Sequence, residues 1–272
     1  MRPMCFKPSP RSLCTKYIAF RNRLILTNLL DPRELASPSV HGAVNIPLSM
    51  LASRVYELPP PGSQLRVADV GEVALQAITE LLRLNRRATV ESHFAFAESL
   101  PHRLWRPNPL IEQFLESEPP GNALDLGCGT GRDAVELASR GWQVTAIDHL
   151  PDALEKGRQL ASRYGLSVAF QRRNVGVDNL PDEAYDLVMM LMFLNREGVQ
   201  QAASNLAHGG ILLLECYSDV NVEHFGKPGS KALSLGKREV LDLLPGFEVI
   251  HHSEDWRSDS RHTVQFVGRR VG

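Results

Sequence analysis

The sequence predicts an α/β fold whose larger part is a doubly wound, mostly parallel sheet of seven strands with an antiparallel hairpin at its edge. From residue 121 onward, short apolar runs alternate with helical patterns, as in βαβ units with right-handed crossovers. Several of the runs are apolar throughout, which is typical of strands buried on both faces. Only a polar loop separates the last two runs, and a connection that short requires an antiparallel pair.

The predicted elements of this larger part follow one another in a regular order. Strand signals cover residues 122–126, 143–148, 167–171, 185–191, 211–216, 247–252 and 262–267. Helical patterns cover residues 110–117, 132–140, 152–164, 196–207 and 237–244. Gly141 and Gly165 are placed to end two of the helices, and Pro151 suits a first helical turn.

The composition is that of an ordinary globular protein with one large or two ordinary domains. Of its 272 residues, 43% are hydrophobic and 22% are charged, and the net charge is −1. Such a balance gives no general attraction to nucleic acid or to anionic lipid. The longest apolar run, 187–194, is far shorter than the roughly 20 residues that span a bilayer. We therefore expect neither a nucleic-acid partner nor a membrane.

The cysteines predict no metal centre. They form no Cys-x-x-Cys pair and no Cys/His cluster, and they stand at Cys5, Cys14, Cys128 and Cys216. This usage favours a reducing compartment, so we expect a cytoplasmic protein. Residues 1–23 form a basic leader without an acidic residue. Organelle transit peptides share that composition, so a mitochondrial location stays open.

A glycine-rich turn joins the first strand of the larger part to its first long helix. Gly127, Gly129 and Gly131 lack side chains that would keep a ligand away from the helix N-terminus. The dinucleotide fingerprint G-x-G-x-x-G would need a glycine where this chain has Arg132. The spacing of the turn therefore argues against NAD as its ligand.

Two carboxylates narrow the choice of ligand. Asp125 lies inside the strand, two residues before the first glycine, and a buried carboxylate needs hydrogen-bond donors. Asp148 ends the next strand, where a carboxylate can accept both hydroxyls of a ribose; capping the following helix is the structural alternative. S-adenosylmethionine (SAM) fits both positions, because it carries a methionyl ammonium and a ribose.

Four segments resemble a known family. They are similar, in this order, to the class I SAM-dependent methyltransferases, and they cover residues 123–133, 144–148, 185–188 and 208–214. Within that Rossmann-like superfamily, the chain looks most like the TehB-like and small-thiol methyltransferase group. The resemblance covers about residues 105–270. It implies an enzyme that methylates a small molecule, such as a thiol or a chalcogen compound.

The resemblance, with the reasoning above, also implies a cofactor site. The family usually has an acidic residue at the adenine, where this chain has Asn174 with Asp178 nearby. Trp105 and Arg106 either close over SAM or anchor a linker to the domain. No catalytic base is implied. The expected cofactor-binding residues are Asp125, Gly127, Cys128, Gly129, Gly131, Asp148, His149, Asn174, Val175, Trp105 and Arg106.

The first half, residues 24–95, resembles a rhodanese domain in its segments 29–34 and 40–48. In that family a catalytic cysteine follows the next strand, and by position Asp69 stands in its place. A carboxylate cannot carry sulfane sulfur. The resemblance implies a smaller, inactive α/β rhodanese-like domain for self-association or a protein partner.

The predicted organisation is thus a basic leader, this domain, a linker at 96–104 and a methyltransferase domain at 105–272. An active SAM-dependent methyltransferase is the leading interpretation. The alternative is a non-catalytic scaffold that uses both folds for binding.

Overall fold

The computed structural model describes residues 26–28, 44–68, 71–91 and 103–271. The chain divides into two units, Met1–Arg106 and Pro107–Gly272, and each is described by itself. Trp105 and Arg106 fall in the first of these units. The leader, the segment 29–34, most of the predicted linker and Asp69 lie outside the described residues.

The first unit contains a parallel four-stranded sheet in the order β2-β1-β3-β4. Helix α1 joins β3 to β4 and packs its buried residues Ala74, Ala77 and Leu81 into the same core as Leu65 and Val67. The elements are β1 (Leu26–Asn28), β2 (Val44–Asn45), β3 (Gln64–Ala68), α1 (Glu72–Arg83) and β4 (Arg87–Glu91). This part is α/β, as predicted; its kinship with rhodaneses stays a prediction.

The second unit is built on a seven-stranded sheet in the order β10-β11-β9-β8-β5-β6-β7. Its strands are β5 (Asn122–Leu126), β6 (Gln143–Asp148), β7 (Ala169–Arg172), β8 (Tyr185–Leu191), β9 (Leu206–Tyr217), β10 (Phe247–Trp256) and β11 (His262–Arg270). Its helices are α2 (Pro109–Phe114), α3 (Arg132–Ser139), α4 (Pro151–Arg163), α5 (Arg196–Asn205), α6 (Asp219–Phe225) and α7 (Glu239–Leu243). Only the pairs that include β11 are antiparallel. The predicted mostly parallel, Rossmann-like sheet with an edge hairpin is confirmed.

Several element bounds differ from the predicted ones for identifiable reasons. Strand β9 begins at Leu206, five residues early, because it already pairs there with Tyr185 of β8. Helix α7 begins only after Arg238, whose φ of +58° is not helical. Helix α6 was not predicted; its signal is the N-cap Ser218, whose side chain accepts the N–H of Asn221.

The core lies on both faces of the sheet. In β8, Val188 and Met190 face one cluster, and Leu187 and Met189 face the other, as the alternation of a strand requires. The apolar run 187–194 is therefore a core strand with the turn that follows it. No helix in the described ranges is both long and apolar enough to cross a membrane.

A buried carboxylate ties the edge hairpin to the start of α2. Glu215 of β9 is 0% exposed, and four side chains donate to it: Asn108 (2.5 Å), Arg257 (2.5 Å), Gln265 (2.9 Å) and Thr263 (3.0 Å). Burial by itself would raise the pKa of Glu215, but the charge of Arg257 and the donated hydrogen bonds hold it below its ordinary value. The apolar pattern that predicted β9 gave no sign of this network.

The Glu215→Gln variant should be less stable than the parent at neutral pH by about 3 kcal/mol, because Arg257 loses its buried partner. The folded pKa of Glu215 is lowered, so its ionised form contributes stability above the unfolded pKa of about 4.3. That contribution is lost as the pH falls through the folded pKa. Urea unfolding from pH 7 to pH 3.5 should therefore show the gap closing below about pH 4.

The matched control is Glu118→Gln, because Glu118 is a more exposed carboxylate that pairs with Arg269 at 2.8 Å. The Glu118→Gln variant should lose less than about 1 kcal/mol of stability at neutral pH. A Glu215→Gln protein as stable as the parent across the whole pH range would contradict the role assigned to this network.

Candidate functional site

The glycine turn lies at the carboxyl end of β5, in the interior of the sheet. From β5 the chain continues to β6 and β7 on one side and returns to β8 and β9 on the other. The order of the strands reverses at this point. Doubly wound sheets bind their ligands at such a switch point, outside the carboxyl ends of the strands.

Hydrogen bonds fix the turn to the end of β6. The N–H groups of Gly127 and Cys128 both donate to the carbonyl of Ile147 at 2.9 Å. The N–H of Gly129 donates to Oδ2 of Asp148, also at 2.9 Å. All three glycines of the turn have positive φ, between +54° and +74°, a conformation that strains other residues. The turn is therefore held in one shape by its neighbouring strand.

Two phenyl rings lie against glycines of this turn. A Cβ atom at Gly127 would stand 2.5 Å from Cγ of Phe193, and one at Gly131 would stand 2.7 Å from the ring of Phe170. No side chain can be added at either position without moving a ring. The sequence predicted glycines for the approach of a ligand, and the structure adds close packing by two aromatic residues that the sequence analysis missed.

Asp148 has part of the structural role that was given above as the alternative to ribose binding, the capping of the following helix. The side chain is buried, and its Oδ1 accepts the N–H of Leu150, the residue before α4, at 2.9 Å. Its Oδ2 accepts from Gly129. Each carboxylate oxygen has a further acceptor position, so the group can still bind a ligand hydroxyl. His149 is exposed, with Nδ1 at 3.4 Å from Oδ1 of Asp148.

Asp125 is a buried carboxylate of β5. It is 3% exposed, and no donor among the described residues reaches its Oδ2. Burial, followed by the charges of Asp133 and Asp148, raises its pKa well above the ordinary value. A cation with N–H groups would supply both the missing charge and the missing hydrogen bonds. This carboxylate therefore fits the methionyl ammonium of SAM.

Asp133, two residues beyond the turn, was not predicted as a site residue. Its Oδ1 accepts the backbone N–H of Asn108 at 2.8 Å. The side chain of Asn108 caps α2 through the N–H of Leu110 and donates to Glu215. Asn-Pro at the start of a helix is a recognisable capping signal, but nothing local in the sequence indicates its partner Asp133.

The residues expected at the adenine lie beyond the carboxyl end of β7. Asn174 is exposed, and its backbone N–H donates to Oδ2 of Asp178 at 2.7 Å. Asp178 is therefore already used in this local turn. The side chain of Val175 belongs to the core, so only its backbone can face a ligand. The N–H of Gly176 donates to Gln201 at 3.2 Å and fixes the segment to α5.

The remaining predicted site residues differ in their surroundings. Cys128 is half-buried, and burial, Asp125 and Asp148 raise the pKa of its thiol, which therefore stays neutral and unreactive. Trp105 is buried and Arg106 is exposed; both lie in the first unit, so their closure over a cofactor stays a prediction. Within the described ranges, no three His, Cys, Asp or Glu side chains are grouped to hold a metal ion.

Comparison with known proteins shows that part of the second unit is similar to methyltransferases. Residues 123–210 match the family described as "Methyltransferase domain". This stretch contains the glycine turn, Asp148, all but the first residue of β5 and strands β6 to β8. The second unit therefore contains a stretch that is similar to methyltransferase domains, a similarity that supports SAM as the ligand.

Individual relatives agree with that class. The probable SAM-dependent methyltransferase TehB of Haemophilus influenzae is 31% identical over 159 residues, 56% of this chain and 54% of TehB. Its crystal structure superposes with a TM-score of 0.52 at 19% identity, covering 60% of this chain and 62% of that one. The ubiquinone biosynthesis O-methyltransferase of Rickettsia typhi is 38% identical over 141 residues. These cover 51% of this chain and 50% of that relative.

A third relative resembles more of the chain. The uncharacterized protein UNK4.09 of Schizosaccharomyces pombe is 25% identical over 268 residues, covering 74% of this chain and 79% of that protein. This share exceeds the second unit, so the similarity extends into the first. By contrast, the chain spans only about half the length of the TehB and ubiquinone relatives.

The Asp125→Asn variant should be more stable than the parent at neutral pH, by roughly 1–3 kcal/mol. Because the folded pKa of Asp125 is raised, the folded protein keeps a proton that the unfolded chain releases. Stability therefore falls as the pH rises from about 4 towards the folded pKa. Asparagine removes this loss. Urea unfolding of both proteins between pH 5 and pH 8 measures this difference in stability. Asp182→Asn, at an exposed position, is the control. An Asp125→Asn protein that is less stable than the parent would contradict the unfavourable burial assigned to this carboxylate.

Proposed function

We propose that this protein transfers the methyl group of SAM to a small-molecule acceptor. The observation that carries the proposal is the buried Asp125 carboxylate beside the glycine turn, whose Oδ2 accepts no hydrogen bond from any described residue. A group that is costly to bury in this way needs a cationic ligand. The similarity of residues 123–210 to methyltransferase domains supports the same ligand.

The cofactor-binding residues we propose follow the shape of SAM. Asp125 would hold the methionyl ammonium, and Gly127, Cys128, Gly129 and Gly131 would form the turn beneath it. The ribose would bind at Asp148 and His149, and the adenine at Asn174 and the backbone of Val175.

The chemistry requires orientation more than acid–base catalysis. SAM supplies an already activated methyl group, so the protein must place the acceptor in line with the bond that breaks. The residues that follow β8, Met192, Phe193 and Leu194, make the neighbourhood of the turn apolar. An apolar surface suits a soft nucleophile, which needs no general base, and we propose a thiol or chalcogen compound as the acceptor.

An oxygen acceptor is the second candidate, and one contact favours it. Oγ of the buried Ser218 lies 2.7 Å from Nδ1 of His262, at the same carboxyl edge of the sheet. This contact orients a histidine ring that could accept the proton of a hydroxyl group. The name of the Rickettsia typhi relative, an O-methyltransferase, points in the same direction.

We propose that the first unit is a non-catalytic rhodanese-like module that binds a protein partner or a second copy of the chain, in the cytoplasm. Asp69 in place of a cysteine supports the loss of sulfur transfer, and the parallel α/β sheet is consistent with such a module. The basic leader keeps mitochondria as the alternative location.

Cofactor binding tests the proposal directly. Millimolar SAM or S-adenosylhomocysteine (SAH) should raise the melting temperature of the full chain, because ligands that bind the folded state stabilise it. Asp125→Asn should weaken SAM binding by at least about tenfold, the loss of one charged hydrogen bond, while Asp182→Asn should not. A parent protein that neither ligand stabilises would leave only the scaffold interpretation.

The acceptor is identified by methyl transfer from labelled SAM to a panel of thiols, selenite, tellurite and a catechol. Transfer to thiols or chalcogen compounds, unchanged in His262→Gln, is the expected result. Transfer to the catechol that His262→Gln abolishes would instead establish the second candidate.

A further inference from the structure

The chain is strained where it leaves β8. Met192 has φ +57°, a left-handed conformation that is costly for residues other than glycine. Its N–H donates to the backbone carbonyl of Glu215 at 2.6 Å, and Glu215 is itself immobilised by four side chains. Strain of this kind persists where the surroundings enforce it, and it concentrates at functional sites.

The strained turn directs Phe193 onto the glycine loop. The ring stands so close to Gly127 that a Cβ atom there would meet its Cγ at 2.5 Å and its Cδ1 at 2.6 Å. Phe193 is only half-buried and packs against the edge of the core. The strain at Met192 therefore results in an aromatic ring beside the first glycine of the turn.

The proposed function determines what this ring would meet. With the methionyl ammonium at Asp125 and the ribose at Asp148, the sulfonium that joins those two parts belongs beside the turn between them. A sulfonium carries a full positive charge, and the face of a phenyl ring attracts cations. Resting on the proposed function, we infer that Phe193 contacts the sulfonium and makes the site prefer SAM over SAH.

This preference would act on the product as well as on the substrate. SAH is a neutral thioether, so it keeps the contacts to Asp125 and Asp148 but loses the attraction of the ring. Phe193 is thus a specificity-determining residue that distinguishes the two cofactor states by charge. A ring that only fills space beside Gly127 would stabilise both states equally.

The chain contains a matched control for that alternative. Phe170 lies against the last glycine of the same turn, where a Cβ atom at Gly131 would meet its ring at 2.7 Å and one at Gly157 would meet it at 2.6 Å. Like Phe193, it is half-buried. It packs at the helix end of the turn, away from β8. Its replacement therefore disturbs the turn without removing the inferred contact.

Isothermal titration of the full chain with SAM and with SAH tests the inference without an acceptor. Phe193→Leu keeps an apolar side chain and removes the ring. The ratio of SAM affinity to SAH affinity should fall about fivefold. Phe170→Leu should change both affinities by the same factor and leave the ratio unchanged. Phe193→Met, which also lacks the ring, should lower the ratio in the same way and serves if the leucine variant does not fold. Phe193→Tyr, which keeps the ring, should retain the parent ratio.

Two results would overturn the inference. One is a parent-like ratio in Phe193→Leu or, if that variant does not fold, in Phe193→Met. The other is an equal fall of the ratio in Phe170→Leu. Failure of the proposed function looks different, because the parent would then bind neither SAM nor SAH.

Discussion

The second unit depends on Glu215, which connects the two sides of its carboxyl edge. Its carboxylate accepts from Asn108, whose backbone N–H holds Asp133 next to the glycine turn. The same carboxylate holds Arg257 and two residues of β11. Its backbone carbonyl holds Met192. One buried residue therefore positions the segment beside the glycine turn, the edge hairpin and the turn after β8. Without its charge, all three would be held less firmly.

At the proposed cofactor site, the buried charge of Asp125 is unfavourable, and no described residue donates to its Oδ2 to offset it. Asp125 is buried near Asp133 and Asp148, and its raised pKa measures how poorly the unliganded protein accommodates that charge. The protein gives up stability here, and a cationic ligand would recover it on binding. This cost explains why stability and cofactor affinity should change in opposite directions when Asp125 becomes neutral.

The order of the secondary-structure elements and the residues of the glycine turn could be predicted, because both depend on local sequence patterns. Apolar runs, glycines and Pro151 predicted the order of strands and helices, since periodicity and turn chemistry act over a few residues. Strands β5, β6 and β8 have the predicted bounds. The proposed cofactor site could be predicted from the glycine turn, from Asp125 before it and from Asp148 at the end of the next strand. Parallel strands bring their carboxyl ends to one edge of the sheet, so these residues were expected to lie together.

Other features depend on partners distant in the chain, which only the tertiary structure decided. Phe193 meets Gly127, and Glu215 meets Asn108, across 66 and 107 positions, and no local pattern encodes such pairs. The strands of the edge hairpin extend to Trp256 and Arg270, past their predicted ends, because a strand continues while a partner can pair with it. The sequence by itself thus determined the sheet and the residues of the glycine turn. The packing that shapes the turn came from the fold, because steric and electrostatic contacts form only once the strands are side by side.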